Sequence, residues 1–304
     1  MSEPVASRCD ACDALLVAGD RFCEECGARV GDDPAEDEHV PEGRVELDLG
    51  AAAAISDQGR VHQRNEDAFY LELVEDAVVG VVCDGISTAA SGDVAARTAA
   101  RAAGAALADA IRGGSDDLEA ATVAAVAAAN AAVAEVPAAT RRTDVAVPSC
   151  TLVCAVCRAD EVAIGWVGDS RAYWIGPGDA RQLTLDDSWA GEQVAAGRLS
   201  PEEAARDRRA HAITRWVGAD APDGPPGFVH ARVRAPGRLI LCSDGVWNYT
   251  ASPGSLATLL DNLPAEASPA AVARTLAEVA LERGGHDNIT AVVVDRAPPR
   301  KDGA

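Results

Sequence analysis

The sequence predicts an α+β fold, a layered sandwich, with a small separate module ahead of it. Three observations carry this expectation. Apolar, largely β-branched stretches of strand length come in runs, and Ala-rich helical stretches come in consecutive pairs. That ordering is not the regular β-α-β alternation of a doubly wound sheet. Ahead of the first strand, Gly31–Arg44 is rich in Gly, Asp, Glu and Pro, the composition of an acidic disordered linker. The expected organisation is a module over residues 1–30, a linker over 31–44, a large domain over 45–297 and a disordered tail over 298–304.

The 304 residues are 48% hydrophobic, so a sizeable core can form. Only 4% are aromatic and Ala is abundant, which favours helices packed closely through small side chains. The net charge of −21 argues against nucleic acid as a partner, since no basic surface is available to displace counterions. It also disfavours anionic membrane surfaces. No apolar run reaches the roughly 18–20 residues of a membrane span. Met1–Arg8 lacks the apolar segment of a signal peptide. A cytoplasmic protein is expected, its nine cysteines binding metal or staying reduced.

Taken in order, the first element is a pair of Cys-x-x-Cys knuckles, Cys9-Asp10-Ala11-Cys12 and Cys23-Glu24-Glu25-Cys26, the second followed by Gly27. Four thiolates from Cys9, Cys12, Cys23 and Cys26 make a closed tetrahedral set for one structural Zn²⁺, a zinc ribbon. So short a module cannot bury a core, and the metal would supply its folding free energy. A docking role toward a protein partner is expected of it.

The large domain opens with a strand over Leu49–Ser56 and a turn at Asp57-Gln58-Gly59. Strands follow at Ala68–Leu73 and Val78–Cys83. Helices are expected at Val94–Ile111 and Leu118–Val136, then strands at Cys150–Arg158, Val162–Val167 and Arg171–Ile175. Gly168-Asp169-Ser170 is the tight turn between the last two. Ser188–Arg209 is charged, without a long apolar stripe, and is expected as a surface insertion. Phe228–Val233 and Arg238–Cys242 are expected to pair as a hairpin around Pro236-Gly237. Helices Pro253–Asn262 and Pro269–Arg283 and the strand Ile289–Asp295 complete the domain.

One pattern recurs at strand ends. Val78-Val79-Gly80-Val81-Val82-Cys83 runs into Asp84-Gly85, and Arg238-Leu239-Ile240-Leu241-Cys242-Ser243 runs into Asp244-Gly245. Asp287-Asn288 stands just before Ile289–Val294. A single Asp-Gly is ordinary turn chemistry. Two after matched apolar strands, with the Asp-Asn, point to carboxylates that converge if the strands lie side by side. Converging carboxylates raise one another's pKa unless a cation neutralises them, and oxygen ligands suit Mg²⁺ or Mn²⁺.

The large domain resembles the metal-dependent serine/threonine protein phosphatases of the type 2C family. The resemblance rests on Arg64-Asn65-Glu66-Asp67-Ala68, Val82-Cys83-Asp84-Gly85 and Thr151-Leu152-Val153. It continues through Trp166-Val167-Gly168-Asp169-Ser170-Arg171-Ala172-Tyr173, Leu183-Thr184-Leu185-Asp186 and Ile213-Thr214-Arg215. Leu241-Cys242-Ser243-Asp244-Gly245-Val246-Trp247 and Asp287-Asn288-Ile289-Thr290 complete it, all in the family's order. It implies a four-layer α-β-β-α sandwich, two packed antiparallel sheets flanked by helix pairs, with two metals at one end. It implies that Asp84 bridges both metals and that Gly85 offers its carbonyl to the second. Asp244 and Asp287 would complete the shell of the first. Glu66 and Asp67 would hold the second directly or through water, and the resemblance leaves open which one touches it. Asp144 lies near where a third metal's ligand is placed. Asp169 and Arg171 are expected to order the Gly168 turn.

The implied reaction is hydrolysis of phosphoserine or phosphothreonine. Two Mg²⁺ or Mn²⁺ ions roughly 3.5–4 Å apart share a water, lower its pKa, and the hydroxide attacks phosphorus in line. No covalent intermediate is needed, so Cys83, Cys150, Cys154, Cys157 and Cys242 are expected as inert buried thiols. The substrates implied are phosphorylated proteins, targets of a Ser/Thr kinase. The alternative is a catalytically weak adaptor that binds phosphoproteins through the same pocket.

Three departures from the family pattern stand out. Ile86-Ser87-Thr88-Ala89-Ala90 replaces a glycine-rich stretch, Asp186-Asp187-Ser188 replaces Asp-His-Ser, and His62 replaces a phosphate-gripping arginine. If the stretch is extended, Arg60, His62, Arg64 and Glu66 share one face. Arg64 or Arg60 is then expected to hold phosphate, Arg64 ahead of Arg60, with His62 able to serve only when protonated.

Overall fold

The computed structural model describes residues 7–8, 15–16, 43–86, 91–137, 147–233, 236–250, 252–264 and 266–296. The chain divides into two compact units, Met1–Pro41 and Glu42–Ala304. In the first unit, Ser7–Arg8 and Leu15–Leu16 pair antiparallel. Cys9, Cys12, Cys23 and Cys26 lie outside the described residues, as do Asp144 and the 298–304 tail.

In the second unit, two antiparallel sheets carry the architecture. One has six strands in the order Asp179–Gln182, Arg171–Gly176, Gly237–Cys242, Ile289–Arg296, Ala52–Asp57 and Arg44–Asp48. The other has five, Gly227–Arg232, Glu161–Val167, Leu152–Arg158, Ala77–Asp84 and Asp67–Val74. Their inner faces meet through Val82, Val153, Trp166, Leu239 and Val292. Helices Gly92–Arg112 and Leu118–Ala134 cover the five-stranded sheet, and Pro253–Asp261 and Pro269–Glu282 cover the six-stranded one. This is the α-β-β-α sandwich. As the composition suggests, the Gly92–Arg112 helix buries Ala95, Ala96, Ala99, Ala100 and Ala103 almost completely.

Most elements match their expected spans within a few residues, and four differences have physical reasons. The first strand, Arg44–Asp48, begins within the stretch expected as linker; it pairs with Ala52–Asp57 across a turn in which Gly50 donates to the Asp48 carboxylate at 2.9 Å. Asp179–Gln182 is an exposed edge strand, too polar to show an apolar pattern. The stretch from residue 149 is broken: Ser149–Cys150 pairs with Val217–Gly218, and the sheet strand starts at Leu152. The hairpin expected around Pro236-Gly237 does not form. Gly227–Arg232 pairs with Glu161–Val167, whereas Gly237–Cys242 sits between Arg171–Gly176 and Ile289–Arg296. The chain changes sheets there, from a half-exposed edge to a central buried strand. Asp84 and Asp244 therefore belong to opposite sheets, not to neighbouring strands of one sheet.

Candidate active site

Strand direction brings the acidic residues together. Ala77–Asp84 runs through the core and ends on Asp84, whose antiparallel register partner is Asp67. On the opposing sheet, Gly237–Cys242 ends beside the start of Ile289–Arg296, with Ser243 N–H donating to the Thr290 carbonyl at 3.1 Å. Asp244 then opens the short helix Asp244–Trp247, and Asp287 precedes Asn288 at the mouth of the last strand. So both sheets deliver carboxylates to the same end of the sandwich.

Asn288 fastens the loop before Asp67 to this end. Its Oδ1 accepts from Glu66 N–H at 2.7 Å, and its Nδ2 donates to the carbonyls of Gln58 at 2.7 Å and Arg64 at 3.0 Å. Its own N–H donates to Asp287 Oδ1 at 2.8 Å. Two glycines permit the close approach. A Cβ on Gly85 would lie 2.7 Å from the Glu66 carbonyl, and one on Gly245 would lie 1.9 Å from the Asn288 carbonyl. Neither contact could be relieved by turning a side chain, since backbone stands opposite in both.

Electrostatics mark the site. Burial pushes the Asp67 carboxyl up to about 7, with Asp244 and Asp287 adding repulsion against the hydrogen bonds of Ser243 and Thr290. Asp84 is driven up by burial, then by Asp67, Asp244, Asp169 and Asp287. Burial and Asp287 raise Asp244 to about 6. Asp67 Oδ1 and Asp244 Oδ1 are buried without any hydrogen-bond partner. Among the described residues, no three His, Cys, Asp or Glu side chains close on one point tightly enough to hold a cation as they stand. The donor set nevertheless fits a hard divalent cation: every candidate is an oxygen, and the orphaned atoms are carboxylate oxygens. Asp84, Asp244, Asp287, Asp67, Glu66 and the Gly85 carbonyl are the groups available to it.

Asp169 goes beyond its expected turn role. It is buried, and burial followed by repulsion from Asp244 and Asp186 lifts it to about 8. Its carbonyl accepts from Trp247 Nε1 at 2.9 Å. Arg171 meets Asp186 through Nε at 2.9 Å and Nη2 at 2.6 Å, and lies 3.7 Å over the Trp247 ring. The Asp186-Asp187-Ser188 departure thus has structural work. Asp187 Oδ2 accepts from Gly168 N–H at 3.1 Å, and Ser188 caps the helix Trp189–Ala195 by accepting from Gly191 N–H at 3.1 Å.

The loop carrying Arg60, His62 and Arg64 is not extended. Gly59 has a positive φ of 76°, its N–H donates to Asp57 Oδ1 at 2.8 Å, and Gln58 Nε2 donates to the His62 carbonyl at 2.7 Å. The shared face expected of an extended strand is therefore absent. Instead His62 Nε2 lies 3.4 Å from Asp287 Oδ1, while the Arg60 and Arg64 side chains are exposed. The five cysteines of this unit are free and buried. Burial raises Cys154 and Cys242 to about 12 and Cys157 to about 11, as suits thiols with no part in nucleophilic chemistry.

Comparison with known proteins agrees with the motifs. The family model described as Protein phosphatase 2C matches residues 58–280. The Serine/threonine protein phosphatase PstP of Mycobacterium tuberculosis is 35% identical over 243 residues, 80% of this chain but 44% of that protein's own length. The Serine/threonine phosphatase stp of Listeria welshimeri is 29% identical, covering 79% of this chain and 94% of its own. The crystal structure of the M. tuberculosis phosphatase PstP/Ppp superposes with a TM-score of 0.69 at 32% identity, over 81% of this chain and 98% of that one. A structure of the PstP catalytic domain in complex with two manganese ions gives a TM-score of 0.66 at 31% identity, over 84% and 99%. The chain belongs to the protein phosphatase 2C family.

Proposed function

We propose that this chain is a metal-dependent protein phosphatase that hydrolyses phosphoserine and phosphothreonine. The observation that carries the reading is the convergence of Asp67, Asp84, Asp244 and Asp287 from both sheets, with two buried carboxylate oxygens left unbonded. Relatives named serine/threonine phosphatases, and a relative's structure with two manganese ions, support it. When bound, Mn²⁺ or Mg²⁺ supplies neutralising charge for a phosphate dianion and acidifies water toward neutral pH.

The residues' own tasks follow from their placement. Asp84, at the end of its strand and opposite Asp67, would be the carboxylate shared by two cations. Asp244 and Asp287 would hold a cation from the six-stranded side, and Asp67 with Glu66 from the five-stranded side. Arg64, Arg60 and, when protonated, His62 are proposed as the groups that meet substrate phosphate, on the loop that brings His62 to Asp287. Asp144 is proposed for a third cation on its sequence position alone. The two Cys-x-x-Cys knuckles support a zinc ribbon that meets a protein partner, joined by the acidic 31–44 segment. Cytoplasmic action on phosphoproteins, without nucleic acid or membrane, is consistent with the acidic charge. Among the described residues no helix is long and apolar enough to cross a membrane.

The test is phosphate release from a phosphothreonine peptide with Mn²⁺, with Mg²⁺ and with excess chelator. Turnover that needs the cation is expected. Cation-independent turnover, or none on any phosphopeptide or aryl phosphate, would overturn the reading.

A further inference from the structure

The polar side chains behind Asp67 form a network that passes through both sheets. Asp67 N–H donates to Asn65 Oδ1 at 3.1 Å, which fixes which end of that amide is nitrogen. Asn65 Nδ2 donates to Ser56 Oγ at 2.8 Å, and Ser56 Oγ lies 2.7 Å from Thr290 Oγ1. Thr290 N–H donates to Ser243 Oγ at 3.1 Å, and Ser243 Oγ donates to Asp67 Oδ2 at 2.7 Å. Ser56, Thr290 and Ser243 are buried, and so is Asp67 at 7% exposure.

The donors give this network a direction. Ser56 Oγ already accepts from an amide, so its one proton is available to Thr290 Oγ1. Between Ser56 and Thr290 either hydroxyl can be the donor, and the Thr290 hydroxyl favours the Asp67 anion against its burial. Ser243 Oγ accepts a backbone N–H and sends its proton to the same carboxylate. The Ser243 hydroxyl, ordered by the Thr290 backbone, thus bonds the Asp67 carboxylate directly, while Asn65, Ser56 and Thr290 form a chain that braces Asp67 through its backbone N–H. Every member is satisfied except Asp67 Oδ1, which is buried and bonded to nothing. Fully connected buried networks of this kind rigidify their members.

We propose that Asn65, Ser56, Thr290 and Ser243 are positioning residues that hold Asp67 by one oxygen and present the other, Oδ1, to a divalent cation. The inference rests on the reading of this end of the sandwich as a cation site. None of the four hydroxyl and amide side chains needs to touch the cation. Their effect passes through the orientation of one carboxylate, as with groups that orient metal ligands elsewhere, whose loss costs about 10–100-fold in metal affinity.

The experiment is calorimetric titration of the 304-residue chain with Mn²⁺, comparing wild type with Thr290→Val, Thr290→Ser and Ser56→Ala, each checked for folding by its Tm under chelator. Thr290→Val keeps the shape and removes the hydroxyl. It is expected to weaken Mn²⁺ binding about tenfold, while Thr290→Ser keeps affinity within about twofold. Ser56→Ala, one step further from the carboxylate, is expected to weaken it by a smaller factor. If Thr290→Val and Ser56→Ala lower Tm but leave Mn²⁺ affinity at the wild-type value, the residues only support the fold and the inference fails. Should Thr290→Val not fold, Ser56→Ala alone decides by the same criterion. Wild-type protein that binds no Mn²⁺ would instead remove the cation-site reading, and this inference with it.

Discussion

Both ends of the sandwich pair arginines with carboxylates, but only one also gathers buried carboxylates that no arginine meets among the described residues. At the end away from the site, carboxylates meet guanidinium groups: Arg238 with Asp295 at 2.8 Å, Arg158 with Asp116 at 3.2 Å and Arg232 with Glu161 at 3.2 Å. At the site end, Asp67, Asp84 and Asp244 carry no arginine ion pair among the described residues, and Asp287 meets His62 at 3.4 Å. The strands are the same strands; only the terminus differs. A chain selected for stability alone would pair this cluster as well, because buried like charges cost free energy that an arginine would offset. A buried acidic cluster left without arginine, while Asp186 and Asp57 nearby are paired with Arg171 and Arg44, is where an external cation has a place, and perturbed carboxyls gathered in this way mark functional sites.

The sharpest way to break this comparison is to remove one charged side chain from each end. Asp244→Ala is expected to lower phosphopeptide turnover by about 10³-fold or more, a loss of about 4 kcal/mol in the transition state. Under chelator it is expected to keep or raise the Tm, since it relieves the repulsion that Asp244 shares with Asp287 and Asp67. Near-normal turnover in that variant would sink the two-cation reading.

A second test uses pH without any substitution. In the metal-free protein, Asp244, Asp67 and Asp169 keep their protons to about 6, 7 and 8, against an ordinary value of 3.8. Between those limits the folded chain binds more protons than the unfolded one, so stability falls as pH rises. Under chelator, stability is therefore expected to drop by about 2 kcal/mol or more from pH 5 to pH 8, a Tm fall of at least several degrees. Saturating Mn²⁺ should flatten that slope. A chelated Tm that climbs over this range would contradict the buried acidic cluster.

The opposite end gives the converse. Arg238→Ala removes the partner of Asp295 and a donor to the Ala267 carbonyl. It is expected to cost about 1–3 kcal/mol of stability, read as a lower urea midpoint, with kcat/KM on a small aryl phosphate unchanged. A loss of turnover at unchanged stability would show that the two ends are coupled.

How far this division could be read in the sequence depends on the residue. Asp84 and Asp244 announce themselves because a charge ends a run of buried apolar residues, a conflict visible without coordinates. The sandwich was likewise legible, since runs of strands and pairs of helices leave few ways to bury their faces. The supports were not. Ser56 and Thr290 look like ordinary small polar residues of strands, and Asn288 like a turn residue; only long-range pairing, Ser56 to Thr290 and Asn288 to Glu66, gives them a task. The mistaken hairpin at Pro236-Gly237 has the same origin. Local turn chemistry can say that the chain reverses but not that it changes sheets, which tertiary packing decides. Asp169 was underestimated because its neighbours Asp244 and Asp186 are distant in sequence.

The smallest expected effect concerns the grip on substrate phosphate. A phosphate dianion among these carboxylates needs a donor, and the loop over residues 58–66 offers Arg60, His62 and Arg64. The bent loop removes any common face, so each must be weighed where it stands. His62 is already engaged with Asp287 at 3.4 Å, and moving it toward substrate would cost that contact. Arg60 is held at the far end of the loop, its N–H donating to the Gly285 carbonyl at 2.8 Å. Arg64 has its carbonyl tied to Asn288 Nδ2 at 3.0 Å, and the same side chain holds Glu66 N–H at 2.7 Å. Its backbone is thus anchored to the site while its side chain is exposed, an arrangement that lets a guanidinium fork reach a phosphate without leaving a partner among the described residues. Arg64→Ala is expected to raise KM for a phosphothreonine peptide about tenfold with kcat nearly unchanged, about 1.4 kcal/mol of binding. Arg64→Lys should recover only part of it, because an ammonium keeps the charge and loses the fork. If Arg64→Ala leaves KM alone and His62→Ala raises it, the histidine makes the contact despite Asp287, and the pairing at 3.4 Å is one that substrate displaces.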